Sequence, residues 1–451
     1  MQTTHILVIG GSASGIVAAK TAKAFHPNKD VLLVRREPEA LTPCGIPYIF
    51  GTLEGSEQDL ISNAAVTANG VRMLIGEVVE LDPEQRFCRL ASGEEIGFEK
   101  LVLALGSTPK LPKAIAGCGL GNVFTISKDK VFLDEMCNRL AEISRVAIVG
   151  GGFIGVEVAD ELHKAGKQVT LLERLPHILE LAFDIELTVK AEELLAQRGV
   201  SVRTSTRVEA LIGEGRVSGV KLHGGETLET EAVIVAVGYQ PTTGLAEKAG
   251  LELNRLGFIK VNEYMMTENR NIFAVGDCAE KKSFVTREPI NVMLASTACA
   301  EARIAALNLY RLSAVKTFGG TIAIYSTALG DVAFGVAGER ESYARERGFD
   351  IVTGTFAGVD KHPAQMPGVQ PQLVKLIVAR ESGVIIGGQV MGGASTGELT
   401  NLIGFIIQNR MTINSILTAQ IGTHPLLTAP PTAYPLIKAA EAIALASRSG
   451  D

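Results

Sequence analysis

The chain has 451 residues, of which 46% are apolar and 20% charged, and a formal net charge of −6. That length predicts about three domains of ordinary size, and no apolar run approaches the ~18 residues of a membrane span. No long basic or acidic block marks a nucleic acid or membrane-surface partner, and the six cysteines have neither the CxxC pairs of a zinc site nor the regular spacing of a disulfide framework, so small-molecule partners and no metal are expected.

The opening residues, MQTTHILVIGG, run straight into a glycine turn with no basic leader and no small-residue cleavage site, and a cytoplasmic protein is expected. His5–Gly10 reads as a strand, Gly10 to Gly15 (Gly10, Gly11, Ser12, Ala13, Ser14, Gly15) as a tight loop, and the Ala-rich stretch to about Phe25 as a helix. Val31–Val34 completes a βαβ unit, whose right-handed crossover sets its parallel strands side by side. Glycines in such a loop let the backbone approach a pyrophosphate, whose charge rests on unpaired N–H groups at the helix N-terminus. An apolar strand ending in Gly and then Pro, LVLALGSTP with Gly106, follows.

The same device then returns. Arg145–Glu173 reads RVAIVGGGFIGVEVADELHKAGKQVTLLE, with Gly150, Gly152 and Gly155 in a full GxGxxG, and VIVAVGYQP with Gly238 comes after it. Two copies at nearly equal offset predict two homologous dinucleotide-binding domains in tandem. Glu173 ends the strand after the second loop, where a carboxylate accepts hydrogen bonds from an adenosine ribose and disfavours a 2′-phosphate, pointing to NADH. The neighbouring Arg174 suits the phosphate instead and points to NADPH. Asn271–Glu280 reads NIFAVGDCAE, a further apolar strand that ends in Gly276 and Asp277.

Together with PCGIPY around Cys44, these segments resemble the pyridine nucleotide disulfide oxidoreductase family over essentially the whole chain. The resemblance implies an α/β fold of two tandem Rossmann-like domains, for FAD and NAD, plus a C-terminal α+β dimerisation domain. It divides the chain into an FAD domain at 1–112 that resumes at 255–320, an NAD(P)H domain at 113–254 and an interface domain at 321–451. It implies contacts to FAD from Gly10, Gly11, Ser12, Ala13, Gly15 and Asp277, and contacts to NADH or NADPH from Gly150, Gly152, Gly155 and Glu173. Gly106 and Gly238 join the cofactor-binding set, and Glu157 matches the position near the nicotinamide ring. One departure stands out: VLLVRREPEA puts Arg35 and Arg36 where the family usually has Glu for the FAD ribose, and Glu37 is the nearest substitute.

Many members carry a CxxxxC disulfide, whereas Ile49 stands five residues beyond Cys44. LTPCGIPYIFGTL therefore resembles the single-cysteine branch: coenzyme A disulfide reductase, NAD(P)H persulfide and polysulfide reductases, NADH oxidase and NADH peroxidase. In that branch the cysteine faces the flavin. At the start of a helix, between Pro43 and Gly45, the Cys44 thiolate is expected to be favoured by the helix dipole and nearby cations. Cys88, Cys118, Cys137, Cys278 and Cys299 read as small core residues.

Oxidase and peroxidase members resemble one another in a histidine three residues past the first glycine of the first loop, where this chain has Ala13. Without that acid or base, reduction of peroxide or dioxygen is harder. The resemblance thus favours a reductase of coenzyme A disulfide, persulfide or polysulfide, with an NADH oxidase or peroxidase as the alternative enzyme and an electron-transfer partner or redox sensor as the alternative class. Lys20 and Lys23 on the first helix either hold coenzyme A phosphates or line a solvated face. His424, in IGTHPLLTAPP, resembles the family's dimer-crossing His-Pro and is expected to act as acid or base across a homodimer interface. His362, in DKHPAQMP, is weighed as a substrate contact, and either histidine could also sit in a capped turn. The last domain is expected to mix strands such as LVKLIVA with a helix near Ser395–Gln408.

Overall fold

The computed structural model describes residues 2–448. Strand Val31–Arg35 is buried at every position, and Gln2–Ile9 throughout its second half, as parallel strands covered on both faces require. Ile6 lies opposite Val31, and Leu7 opposite Leu101 of strand Glu95–Leu103. Arg72–Ile75 continues the sheet beyond Val31–Arg35, and the hairpin of Val78–Asp82 and Phe87–Leu90 closes the other edge. Ile272–Ala274 also joins this sheet, with Phe273 opposite Val102. The chain therefore returns to the first unit after completing the second. Helices Ala13–Phe25 and Ala295–Asn308 pack together through Ala18, Ala19, Ala22, Ala302, Ala305 and Ala306, small side chains that allow close approach.

The second unit repeats the plan. Its sheet runs Ser201–Arg203, Gln168–Leu172, Arg145–Val149, Ala232–Val235, Val123–Thr125, parallel throughout. A three-stranded antiparallel sheet, Val208–Ile212, Gly219–Leu222 and Thr227–Glu229, packs Leu211, Val220 and Leu222 against Val149, Leu172 and Val235. The two Gly-Pro segments pair with each other: Ser107–Pro109 lies antiparallel to Tyr239–Pro241, with Thr108 opposite Gln240. Each is entered through a glycine in left-handed backbone, Gly106 at φ 73° and Gly238 at φ 101°.

The third unit is an antiparallel sheet in the order Tyr325–Leu329, Val332–Gly338, Ile385–Gly392, Pro371–Ala379, Ile351–Val359. Helices Thr396–Gln408 and Pro435–Arg448 cover it through Ile403, Ile407, Leu436 and Ala439, so the expected strand and helix both form. A buried polar knot joins it to the second unit. Lys375, its side chain 4% exposed, stands 3.1 Å from Asp184, 3.0 Å from Glu186 and 2.8 Å from Glu341, and Gln389 bonds both the Asp184 amide (3.0 Å) and its carboxylate (2.6 Å). Among the described residues no helix is long and apolar enough to cross a membrane, and no cluster of His, Cys, Asp and Glu could hold a metal ion.

Candidate active site

Both glycine loops have the same geometry. Gly10 (φ 108°) and Gly150 (φ 111°) take left-handed backbone, and a Cβ on either would lie 2.1 Å from the Ala104 carbonyl oxygen or 2.5 Å from that of Ala236. A Cβ on Gly15 or Gly155 would come within 1.8 or 1.9 Å of the carbonyl oxygen of Gly10 or Gly150. The first and third glycines thus seat each helix against its strand. The middle positions face outward, with open space around Gly152. Neither Ser12 nor Gly152 caps its helix with a side chain. The first-turn N–H groups remain donors for a phosphate, so both loops fit a dinucleotide.

The strand ends beside the loops differ. Glu173 accepts from the amides of Gly151 at 2.6 Å and Leu175 at 2.8 Å, which holds its carboxylate at the rim of the second loop. At the corresponding end in the first unit, Arg35 is 3% exposed and donates to the carbonyls of Glu37 (2.6 Å) and Pro38 (2.6 Å) and to Asn63 Oδ1 (2.8 Å). It is a strut for the following loop. Glu37, the expected substitute at the ribose, bonds the Arg36 guanidinium through Oε1.

The Gly276–Asp277 turn abuts the first loop: a Cβ on Gly276 would come within 2.6 Å of Ser14 Oγ. Its amide donates to Glu301 Oε2 at 2.8 Å, while Lys281 Nζ donates to the Gly276 carbonyl at 2.5 Å and lies 3.3 Å from Glu301 Oε1, both side chains being fully buried. Burial pushes the Glu301 carboxyl up to about 7 against the pull of Lys281. Asp277 Oδ2 accepts from Ser107 Oγ at 2.7 Å and Lys128 Nζ at 2.8 Å. Burial raises Asp277, but Lys128 and Ser107 outweigh it and hold the carboxyl below its usual range.

Cys44 lies just before a 3-10 turn, Ile46–Phe50, and its side chain is exposed to solvent. Behind it, a Cβ on Gly45 would stand 1.9 Å from Asp59 Oδ1. Burial pushes the Asp59 carboxyl up to about 6. In front, helix Phe153–Lys164 packs on the turn, and the Thr52 amide and hydroxyl donate to Glu161 at 2.5 and 2.8 Å. Glu157 on the same helix accepts from Thr327 Oγ1 of the C-terminal sheet at 2.8 Å, and burial pushes its carboxyl up to about 7. All three units therefore meet around the cysteine.

The expected thiolate stabilisation at Cys44 needs correction. The element that follows is a single 3-10 turn of five residues, too short for the aligned dipole of an α-helix to favour an anion. Although the residue as a whole is exposed, the surrounding protein desolvates the thiol enough to push it up; Glu157 adds to this, and Lys128 opposes it. Cys299 also lies within electrostatic reach of Cys44. Cys88 and Cys278 are buried as expected, whereas Cys118, Cys137 and Cys299 are only partly buried. Residues not anticipated from sequence are Lys128, Ser107, Lys281, Glu301, Asp59 and Thr327. Only Ser107 had a local signal, its place in the repeated strand-Gly-Pro segment.

The C-terminal histidines share Thr428 as a hydrogen-bond partner. The His362 amide donates to the Pro425 carbonyl at 3.0 Å, its ring Nδ1 lies 2.9 Å from the Thr428 carbonyl, and the His424 amide donates to Thr428 Oγ1 at 2.9 Å. His424 is exposed beside the exposed Leu426 and Leu427. Among the described residues neither histidine shares a hydrogen bond with the Cys44 network. Lys23 Nζ donates to the carbonyls of Pro27 (3.0 Å) and Lys29 (2.9 Å), closing the end of the first helix, and Lys20 is half-buried on that helix.

Two dinucleotide loops, a turn that presents a carboxylate beside one of them and an accessible cysteine between the units define a flavoprotein oxidoreductase driven by a nicotinamide dinucleotide. The chain belongs to the pyridine nucleotide-disulphide oxidoreductase family, whose model matches residues 4–302 and whose dimerisation domain matches residues 324–434. It is 31% identical over 420 residues to the NAD(P)H sulfur oxidoreductase (CoA-dependent) of Pyrococcus abyssi, covering 92% of this chain and 93% of that one. It is 32% identical to the NAD(P)H coenzyme A polysulfide/persulfide reductase of Pyrococcus horikoshii, covering 86% and 87%. Among solved structures, an NAD-dependent persulfide reductase from A. fulgidus superposes with a TM-score of 0.91 at 27% identity, over 99% of this chain and 84% of that one. Membership in this family implies FAD and NAD(P)H as cofactors.

Proposed function

We propose that this enzyme reduces the sulfur–sulfur bond of coenzyme A disulfide, a persulfide or a polysulfide with NADH or NADPH, through Cys44. The observation that carries the reading is an accessible Cys44 where the Asp277 turn, the Glu157 helix and the C-terminal sheet converge, with Ile49 and not a second cysteine five residues on. The names of the Pyrococcus and A. fulgidus proteins support the same substrate class. FAD, when bound, supplies hydride acceptance from the nicotinamide and delivery of the electron pair.

The chain's own residues do the rest. The glycines at 10, 11 and 15, with Ser12, Ala13 and Gly106, seat the flavin nucleotide with Asp277; Gly150, Gly152, Gly155, Glu173 and Gly238 seat the nicotinamide nucleotide, and Glu157 lies by its ring. Cys44 Sγ, once deprotonated, attacks one substrate sulfur: a Cys44–sulfur bond forms, the substrate bond breaks and one thiolate leaves. Two electrons and a proton then cleave the mixed disulfide, release the second thiol and restore Cys44. Glu157, held protonated up to near neutrality by burial, is a proton store beside this step. In this reading 1–112 with 255–320 is the FAD domain, 113–254 the NAD(P)H domain, and 321–451 joins two copies in a cytoplasmic homodimer, where His424 serves as acid or base across the interface and His362 as a substrate contact. Lys20 is the better candidate for a coenzyme A phosphate, because two of the three Lys23 ammonium hydrogens are used locally.

A Cys44→Ser variant tests the reading. It should still bleach its flavin with NADH while losing turnover of coenzyme A disulfide and polysulfide. Retained sulfur turnover rejects the cysteine mechanism, and rapid NADH consumption by dioxygen alone, with no acceleration by any sulfur compound, favours an oxidase.

A further inference from the structure

Lys128 sits between strand Val123–Thr125 of the second unit and Asp129, the N-cap of helix Lys130–Ala141. Its ammonium leaves that unit and donates to Asp277 Oδ2 at 2.8 Å on the flavin turn and to Ser107 Oγ at 2.9 Å on the connecting ribbon. It also lies 5.4 Å from the centroid of the Tyr239 ring, on the opposite strand of that ribbon. Ser107 Oγ bonds the same Asp277 oxygen at 2.7 Å, so Oδ2 is doubly occupied and Oδ1 is left as the free acceptor among the described residues. One cation thus touches the flavin turn and both strands of the linker from within the nicotinamide unit. The side chains of Lys128 and Asp277 are 31% and 13% exposed, enough shielding for a charge-assisted contact to resist solvent.

We propose that Lys128 is a positioning residue that latches the nicotinamide domain to the flavin-binding turn, holding Asp277 oriented for the flavin and placing one positive charge beside the Cys44 segment. The proposal rests on the FAD and Cys44 reading above. Among the described residues no other cation bridges the two units at this turn: Lys281, the second lysine here, is spent on the carbonyls of Gly276 and Ala279 and on Glu301. The charged and titratable groups acting on Cys44 are Glu157, Lys128, Cys299 and Asp277, and of these Lys128 alone favours an anionic sulfur.

The test compares holoenzyme carrying Lys128→Met or Lys128→Arg with the unaltered enzyme. Three quantities are read: the dissociation constant for FAD, the pH profile of Cys44 alkylation by iodoacetamide, and the thermal midpoint. A latch predicts that Lys128→Met weakens FAD about tenfold or more and moves the alkylation profile to higher pH, while Lys128→Arg restores most of both. A lower thermal midpoint with unchanged FAD affinity and alkylation profile would mean that the lysine only supports the fold, and would overturn the proposal. Should Lys128→Met not fold, Lys128→Gln keeps a donor without the charge and must show the same two shifts. If the unaltered enzyme binds no FAD, the underlying flavin reading fails and the latch fails with it; FAD binding that is indifferent to position 128 sinks the latch alone.

Discussion

Lys281→Met probes the buried pair under the flavin turn. The substitution removes the donor to the Gly276 carbonyl at 2.5 Å and to the Ala279 carbonyl at 3.2 Å, and leaves Glu301 without its countercharge at full burial. Breaking a buried pair on one side costs about 3–5 kcal/mol. Glu301 can lessen the loss by keeping a proton, since burial already pushes it up to about 7 with Lys281 beside it. The sign follows from proton counting. A carboxyl raised in the folded state binds more protons there than in the unfolded chain, so its stability contribution is present below the ordinary carboxylate range and is lost as pH rises through the folded value. Lys281→Met should therefore lose about 3 kcal/mol or more at pH 8 and visibly less at pH 6. Lys281→Met with Glu301→Gln should recover all but about 1–2 kcal/mol, because the glutamine oxygen still accepts the Gly276 amide. Urea unfolding at the two pH values measures this. Equal losses at both, or a double variant no better than the single one, would refute the reasoning.

Gly10→Ala should abolish FAD retention, because the added Cβ lands 2.1 Å from the Ala104 carbonyl oxygen at a φ of 108°; Gly152→Ala meets nothing within 4 Å and should fold normally, raising only the KM for the nicotinamide nucleotide. Glu157→Gln should remove an inflection near pH 7 from the rate of flavin reduction by NADH, measured by stopped flow. Because the Glu157 carboxyl is raised from 4.5 to about 7, it disfavours folding increasingly between those values, and the glutamine variant should gain stability relative to the unaltered enzyme between pH 5 and 8. Glu173→Ala should lose preference for NADH over NADPH by about tenfold, read as the ratio of kcat/KM values, if the carboxylate held by Gly151 and Leu175 meets the ribose.

The parts of the site legible in the sequence are those that chain geometry fixes locally. Gly10, Gly15, Gly150 and Gly155 stand where any Cβ would strike a carbonyl, so the spacing itself encodes the loop, and Gly276 is constrained in the same way by Ser14. The two Gly-Pro segments were visible as repeats, but their pairing into one ribbon was not, since it joins residues 107–109 to 239–241. Lys128 and Thr327 reach the site only through contacts between separate units, Glu301 reaches it from a helix that follows Gly276 by 25 residues, and no periodicity marks them. Thiolate character at Cys44 is not legible locally, because a glycine and a proline beside a cysteine do not tell a 3-10 turn from a helix, and both the burial that raises the thiol and the Glu157 charge that adds to it come from tertiary packing, Glu157 from another unit. Arg35 stands out in the sequence where the resemblance leads one to expect Glu, but its use as a buried strut depends on Asn63 and on the carbonyls that follow it.

The most direct measurement is an anaerobic reductive titration of holoenzyme first incubated with coenzyme A disulfide and freed of excess reagent. With Cys44 as the sulfur that exchanges electrons with the flavin, full reduction takes four electrons per FAD and releases one equivalent of coenzyme A thiol, whereas Cys44→Ser takes two and releases none. Uptake of two electrons per FAD by both proteins, with no thiol released, would contradict a redox role for Cys44.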